Sequence, residues 1–136
     1  LGWCYGPPGV IGVLNRLRGP FNVTSPAQAA GVAALGDVEF LMSVQDHVAS
    51  WRPWLERELA RLELQLVTSV TNFVLVRFPG GAEQAESTNA HLARQGILVR
   101  DMDAYGLPDC LRITVGTEEE MRALIAAMEE HLGVAS

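Results

Sequence analysis

Lysine is missing from this chain: all ten basic residues are arginine. Without lysine there is no side-chain amine for Schiff-base formation, so chemistry of that kind needs a residue supplied from elsewhere. Cysteine is scarce. Cys4 and Cys110 lack CxxC spacing, which argues against a disulfide framework or a zinc site and predicts two reduced, buried thiols. No apolar run approaches the ~18 residues that a membrane-spanning helix needs. Positive charge is in deficit, and a formal charge of −6 disfavours an electrostatic grip on nucleic acid. The opening Leu1-Gly2-Trp3 has neither a methionine nor a charged n-region, which reads as a fragment rather than a native start or a signal peptide.

What is present points to a packed, soluble, cytoplasmic protein. The 136 residues fall within the ~100–200 of one domain, and 49% of them are hydrophobic against 19% charged. Residues 1–5 read as a short strand closed by Gly6-Pro7-Pro8, and Pro8 is suited to open a helix through Arg18. Thr24 or Ser25 caps a small-residue helix over residues 27–35, with Pro26 in its first turn. Leu41, Val44, Val48, Trp51, Leu55, Leu59 and Leu62 then recur at steps of three and four, marking one face of a long amphipathic helix. Pro53 lies inside it. Its missing N–H and its clash with the carbonyl of Ala49 predict a kink or restart near Ser50, and a domain boundary there separates residues 1–48 from 49–136.

Beyond Leu62 the period shifts towards two. Strands are expected over residues 64–68, 72–78, 97–100 and 111–115, with a helix over 83–95 ended by Gly96. Thr117 and Glu120 form a capping box at the start of a last helix running to about His131. The second half is thus ββαββα, a small α+β layer with helices on a mostly antiparallel sheet. The first half has helices and one strand but no sheet of its own.

Several blocks carry a family resemblance. Arg18-Gly19-Pro20-Phe21-Asn22-Val23-Thr24-Ser25, followed by Ala27-Gln28-Ala29-Ala30, resembles the "R-x-PFNVS-x-x-AQ" block of histidinol-phosphate aminotransferases. Ser69-Val70-Thr71-Asn72-Phe73-Val74-Leu75 is similar to that family's "S-x-x-NF-x-L" strand. Gly96-Ile97-Leu98-Val99-Arg100 and Leu111-Arg112-Ile113-Thr114-Val115-Gly116-Thr117 resemble its last two signatures. The resemblance implies an α/β protein of the fold-type I, pyridoxal 5'-phosphate (PLP)-dependent class. Within it, residues 1–48 would be the tail of the cofactor-binding large domain and the start of the interdomain helix, and 49–136 the C-terminal small domain. It also implies that the Schiff-base lysine lies upstream, so this chain carries no catalytic residue, is inactive alone and does not hold PLP by itself. The parent enzyme would be a homodimer acting on a small phosphorylated or aromatic amine.

Arg112 is the leading site residue. In a strand it faces away from Leu111 and Ile113, and its planar fork suits an oxyanion. The resemblance makes it a binder of the substrate's anionic end, with Arg100 near the substrate phosphate and Asn72 as a weaker contact. Read from residues alone, Arg112 is a surface arginine and Arg100 an ion-pair partner of Asp101 or Asp103. The three histidines show no metal-ligand spacing, and Trp3, Trp51 and Trp54 read as packing groups. Two other functions fit the pattern: a PLP-dependent threonine-phosphate decarboxylase, and a non-catalytic binding or interaction module.

Overall fold

The chain divides between Ser43 and Val44 into two compact units, Leu1–Ser43 and the remainder. A computed structural model describes residues 1–134. The first unit contains helices α1 (Pro8–Leu17) and α2 (Ser25–Gly36) and the first turn of α3 (Val38–Arg61). Pro8 opens α1, and the Thr24 hydroxyl accepts the Ala27 N–H at the start of α2. No residue of this unit is buried. Residues 1–5 do not form the expected strand, because a strand needs a hydrogen-bonded neighbour and, among the described residues, the four strands lie after Val44. Two further expectations fail with it: Cys4 is exposed, and Trp3 is 90% exposed rather than packed.

Helix α3 runs without interruption through Pro53, so the restart expected there does not occur. Proline removes one N–H from the ladder. The bonds on either side, together with Leu55 and Leu59 buried on the following turns, keep the helix intact. Burying each of those leucines stabilises by roughly 1.5–3 kcal/mol.

The second unit follows the expected order: β1 (Gln65–Val67), β2 (Phe73–Arg77), α4 (Gly81–Arg94), β3 (Arg100–Asp101), a 3-10 turn at Asp103–Tyr105, β4 (Cys110–Thr114) and α5 (Glu118–Leu132). The sheet order is β1-β2-β4-β3, and every neighbouring pair is antiparallel. Alternation gives the sheet two unlike faces. Val74, Val76, Leu111 and Ile113 join Leu55, Leu59, Leu92, Met121 and Met128 in one core. Phe73, Leu75 and Arg112 lie on the other face, and none of them is buried.

Strand β3 is shorter than residues 97–100 suggested. Gly96 takes φ +78 after α4, and the Ile97 N–H returns to the Leu92 carbonyl at 2.9 Å. That helix-ending turn occupies the backbone of Ile97, and pairing with β4 begins only at Arg100. At α5 the capping box forms as read: the Thr117 Oγ1 accepts the Glu120 N–H, and a Glu120 carboxylate oxygen accepts the Thr117 N–H at 2.8 Å.

Candidate anion-binding site

The site is built on the open face of the sheet. Its position is fixed by the turn before β2, where the Ser69 hydroxyl donates to the Phe73 carbonyl at 2.6 Å and accepts the Thr71 N–H. Arg52, from α3, donates to the Thr71 carbonyl at 3.0 Å. These bonds fix where β2 starts and therefore which of its residues face outwards. Phe73 then sits opposite Thr114, and Leu75 opposite Arg112.

Arg100 and Arg112 are brought together. They are direct register partners across β3 and β4, so their side chains leave the same face. Both line a cavity of about 420 Å³, with Leu98, Tyr105 and Thr114 on its wall. An apolar cavity of about 380 Å³ adjoins it, sharing Leu98, Val99 and Thr114 and floored by Ile113, Met121 and Leu124.

Neither arginine meets a carboxylate among the described residues. The alternative ion pair from Arg100 to Asp101 or Asp103 is not formed. Asp101 pairs with Leu111, one step along the ladder, which sends its side chain towards the opposite face. Asp101 also borders the cavity of the two arginines, and with Asp103 it borders a second recess beside Ala82, Ala85 and Glu86 of α4, but neither carboxylate is within ion-pair distance of Arg100 or Arg112. Each guanidinium lies over an aromatic ring instead: Arg112 at 4.9 Å from the Phe73 centroid, Arg100 at 5.9 Å from that of Tyr105. The Arg112 Nε is buried and finds no acceptor among the described residues. A buried N–H without a partner costs on the order of 1–3 kcal/mol. Two guanidinium groups facing one cavity, with donors free, suit a dianionic oxyanion.

Asn72 does not join them. It precedes β2, is exposed, and is out of phase with Phe73 and Leu75; its carbonyl accepts the Val115 N–H at 2.9 Å. Phe73, Tyr105 and Thr114 are side chains of the site that the sequence did not single out. For Phe73 the available signal was its place on the same strand face as Leu75.

Each of the three histidines has a specific neighbour. His47 is bonded to the Gly116 carbonyl at 2.8 Å. His91 and His131, far apart in sequence, stack at 4.8 Å between the last turns of α4 and α5. Burial, then the neighbouring charges of His91 and Arg94, hold the His131 imidazole below its usual range. Cys110 is buried as expected, and burial, then its bond to Asp109, push its thiol up.

Residues 1–128 match the class I and II aminotransferase family. The chain belongs to that family. Among its relatives, a histidinol-phosphate aminotransferase of Paramagnetospirillum magneticum is 51% identical over 134 residues, covering 98% of this chain and 37% of the relative. One from Ruegeria is 45% identical over 96% of this chain and 36% of the relative. Among solved structures, the histidinol-phosphate aminotransferase of Sinorhizobium meliloti in complex with PLP superposes with a TM-score of 0.80 at 31% identity. The match covers 93% of this chain and 34% of that one. The chain therefore spans a little over a third of the length of the curated relatives it matches.

Proposed function

We propose that this chain is the C-terminal part of a PLP-dependent histidinol-phosphate aminotransferase and supplies the clamp for the substrate's anionic group. In this reading residues 1–48 are the tail of the large domain and residues 49–136 the small domain. The observation that carries the clamp is the pair Arg100 and Arg112, register partners on an open sheet face with no carboxylate within ion-pair distance among the described residues. An unfilled donor at Arg112 Nε adds to it. The absence of any buried residue in Leu1–Ser43 supports a larger body against which α1 and α2 pack.

PLP requires an amine to anchor its aldehyde, and no side chain here supplies one. The residues present therefore do not fit as its covalent seat, and this chain's part lies with the substrate. When bound in the whole protein, the cofactor supplies the electron sink for amino transfer. Arg112 and Arg100 bind and orient the anionic end of the amine, and Asn72 is at most a peripheral contact. The wider reading is a cytoplasmic homodimer acting on a small amine, without nucleic-acid or membrane partners. The net charge of −6 supports the first exclusion. Among the described residues no single helix is long and apolar enough to cross a membrane.

The test is steady-state transamination of histidinol phosphate by the full-length protein and by its Arg112→Met and Arg100→Met variants. Both substitutions should raise KM for the phosphorylated amine by at least tenfold, the scale of a lost charge-assisted bond of roughly 1.5–3 kcal/mol. Unchanged KM in both would remove the clamp, and no turnover of histidinol phosphate by the wild type would remove the substrate.

A further inference from the structure

A carboxylate and an aromatic ring hold an arginine in different ways. A carboxylate takes two in-plane N–H donors and cancels the charge. A ring takes the flat of the guanidinium and leaves those donors free. At Arg112 the charge sits over a ring and not against a carboxylate: Cζ stands 4.9 Å from the Phe73 centroid, while Nε is buried with no acceptor among the described residues. Register explains how the two meet. Phe73 faces Thr114 and Leu75 faces Arg112, so Phe73 and Arg112 are diagonal neighbours on one face, within reach of an aromatic and a long side chain.

We infer that Phe73 is a positioning residue: its ring sets the plane of the Arg112 guanidinium and so aims the donors at an oxyanion in the cavity shared with Arg100, Tyr105 and Thr114. The inference rests on the clamp reading and extends it from the arginine to the ring beneath. A flexible arginine on an open face loses rotamer freedom when it grips a ligand. A ring that fixes the plane beforehand removes part of that loss without occupying a donor. It also keeps the positive charge available, which a carboxylate at the same place would not.

The experiment is a titration of this chain with inorganic phosphate, followed by NMR at the Arg112 Nε–H and the Thr114 amide. The proteins are the wild type, Arg112→Lys, Phe73→Leu, Phe73→Tyr, and chains carrying mono-, di- and trifluorinated phenylalanine at position 73. Fluorine keeps the ring's shape while draining the negative potential of its face. Phe73→Leu should weaken phosphate by about fivefold, the scale of one exposed cation–π contact. Phe73→Tyr should restore it, and the fluorinated series should weaken it stepwise. Equal affinity across Phe73→Leu and the fluorinated chains overturns the inference while the clamp stands. A wild-type shift that does not saturate, or that Arg112→Lys leaves unchanged, brings down the clamp and this inference together. If Phe73→Leu unfolds, the fluorinated chains carry the test alone, since a purely packing role would not follow ring potential.

Discussion

Arg100 and Arg112 face each other directly across the β3–β4 ladder. Like charges in that position repel and cost the sheet roughly 0.2–1 kcal/mol. A protein keeps such a pair only at some expense in stability, and an anion between the two relieves it. Phosphate should therefore raise the melting temperature of the wild-type chain, whereas sulfate-free chloride buffers of equal ionic strength should not. The double variant Arg100→Gln/Arg112→Gln should melt higher than the wild type in low salt and lose its response to phosphate. Differential scanning calorimetry with and without phosphate checks both halves; a phosphate response that survives the double substitution would place the anion elsewhere.

Acid should loosen the contact between the ends of α4 and α5. His131 is held below the ordinary imidazole value by burial first and then by the charges of His91 and Arg94. The unfolded chain then binds its proton more readily than the folded one. Stability is intact above the unfolded pKa of about 6.5 and declines as pH falls towards the lower folded value. His131→Gln should flatten the stability profile between about pH 7 and 5. Urea melts at stepped pH measure it, and identical slopes in variant and wild type would refute it.

Thr117 and Glu120 satisfy each other's backbone at the start of α5. Thr117→Ala should cost about 1 kcal/mol. Bonds from the Thr117 backbone, then from its hydroxyl, hold the Glu120 carboxyl below its usual range. This contribution is present above the unfolded carboxylate pKa and is lost as pH falls through the lower folded one. In Thr117→Ala the Glu120 carboxyl should move back up, which carbon-detected NMR titration reads directly.

The first unit should make the isolated chain self-associate. Leu1, Trp3, Tyr5, Leu17, Phe21 and Leu35 are each more than three-quarters exposed. Apolar surface on this scale rarely stays uncovered. Sedimentation velocity over a range of concentrations should show growth beyond the monomer, and a single monomeric species throughout would contradict this.

How far the sequence could be read depended on where each element gets its support. The long helix, the capping box and the ββαββα order were legible because they rest on local periodicity and capping, as at Leu55, Leu59 and Thr117. The strand expected over residues 1–5 was not, because pairing is a property of two segments and periodicity describes one. The same holds at β3, where the turn at Gly96 competes for the backbone of Ile97. Arg112 and Arg100 were found through a motif, but their face-to-face register and the ring under each are relations between strands. His91 and His131 make the point most plainly: they are 40 positions apart in sequence (131 less 91), yet their rings stack.

The two cysteines differ in access, and that difference makes the molecule its own reporter. Cys4 is open to solvent, while Cys110, at the start of β4, is 1% exposed with its thiol pushed up by burial. A thiol-reactive dye should therefore mark Cys4 at once and leave Cys110 dark until the sheet opens. The slow second labelling step would then time the opening of the strand that carries Arg112, with no probe added to the site itself.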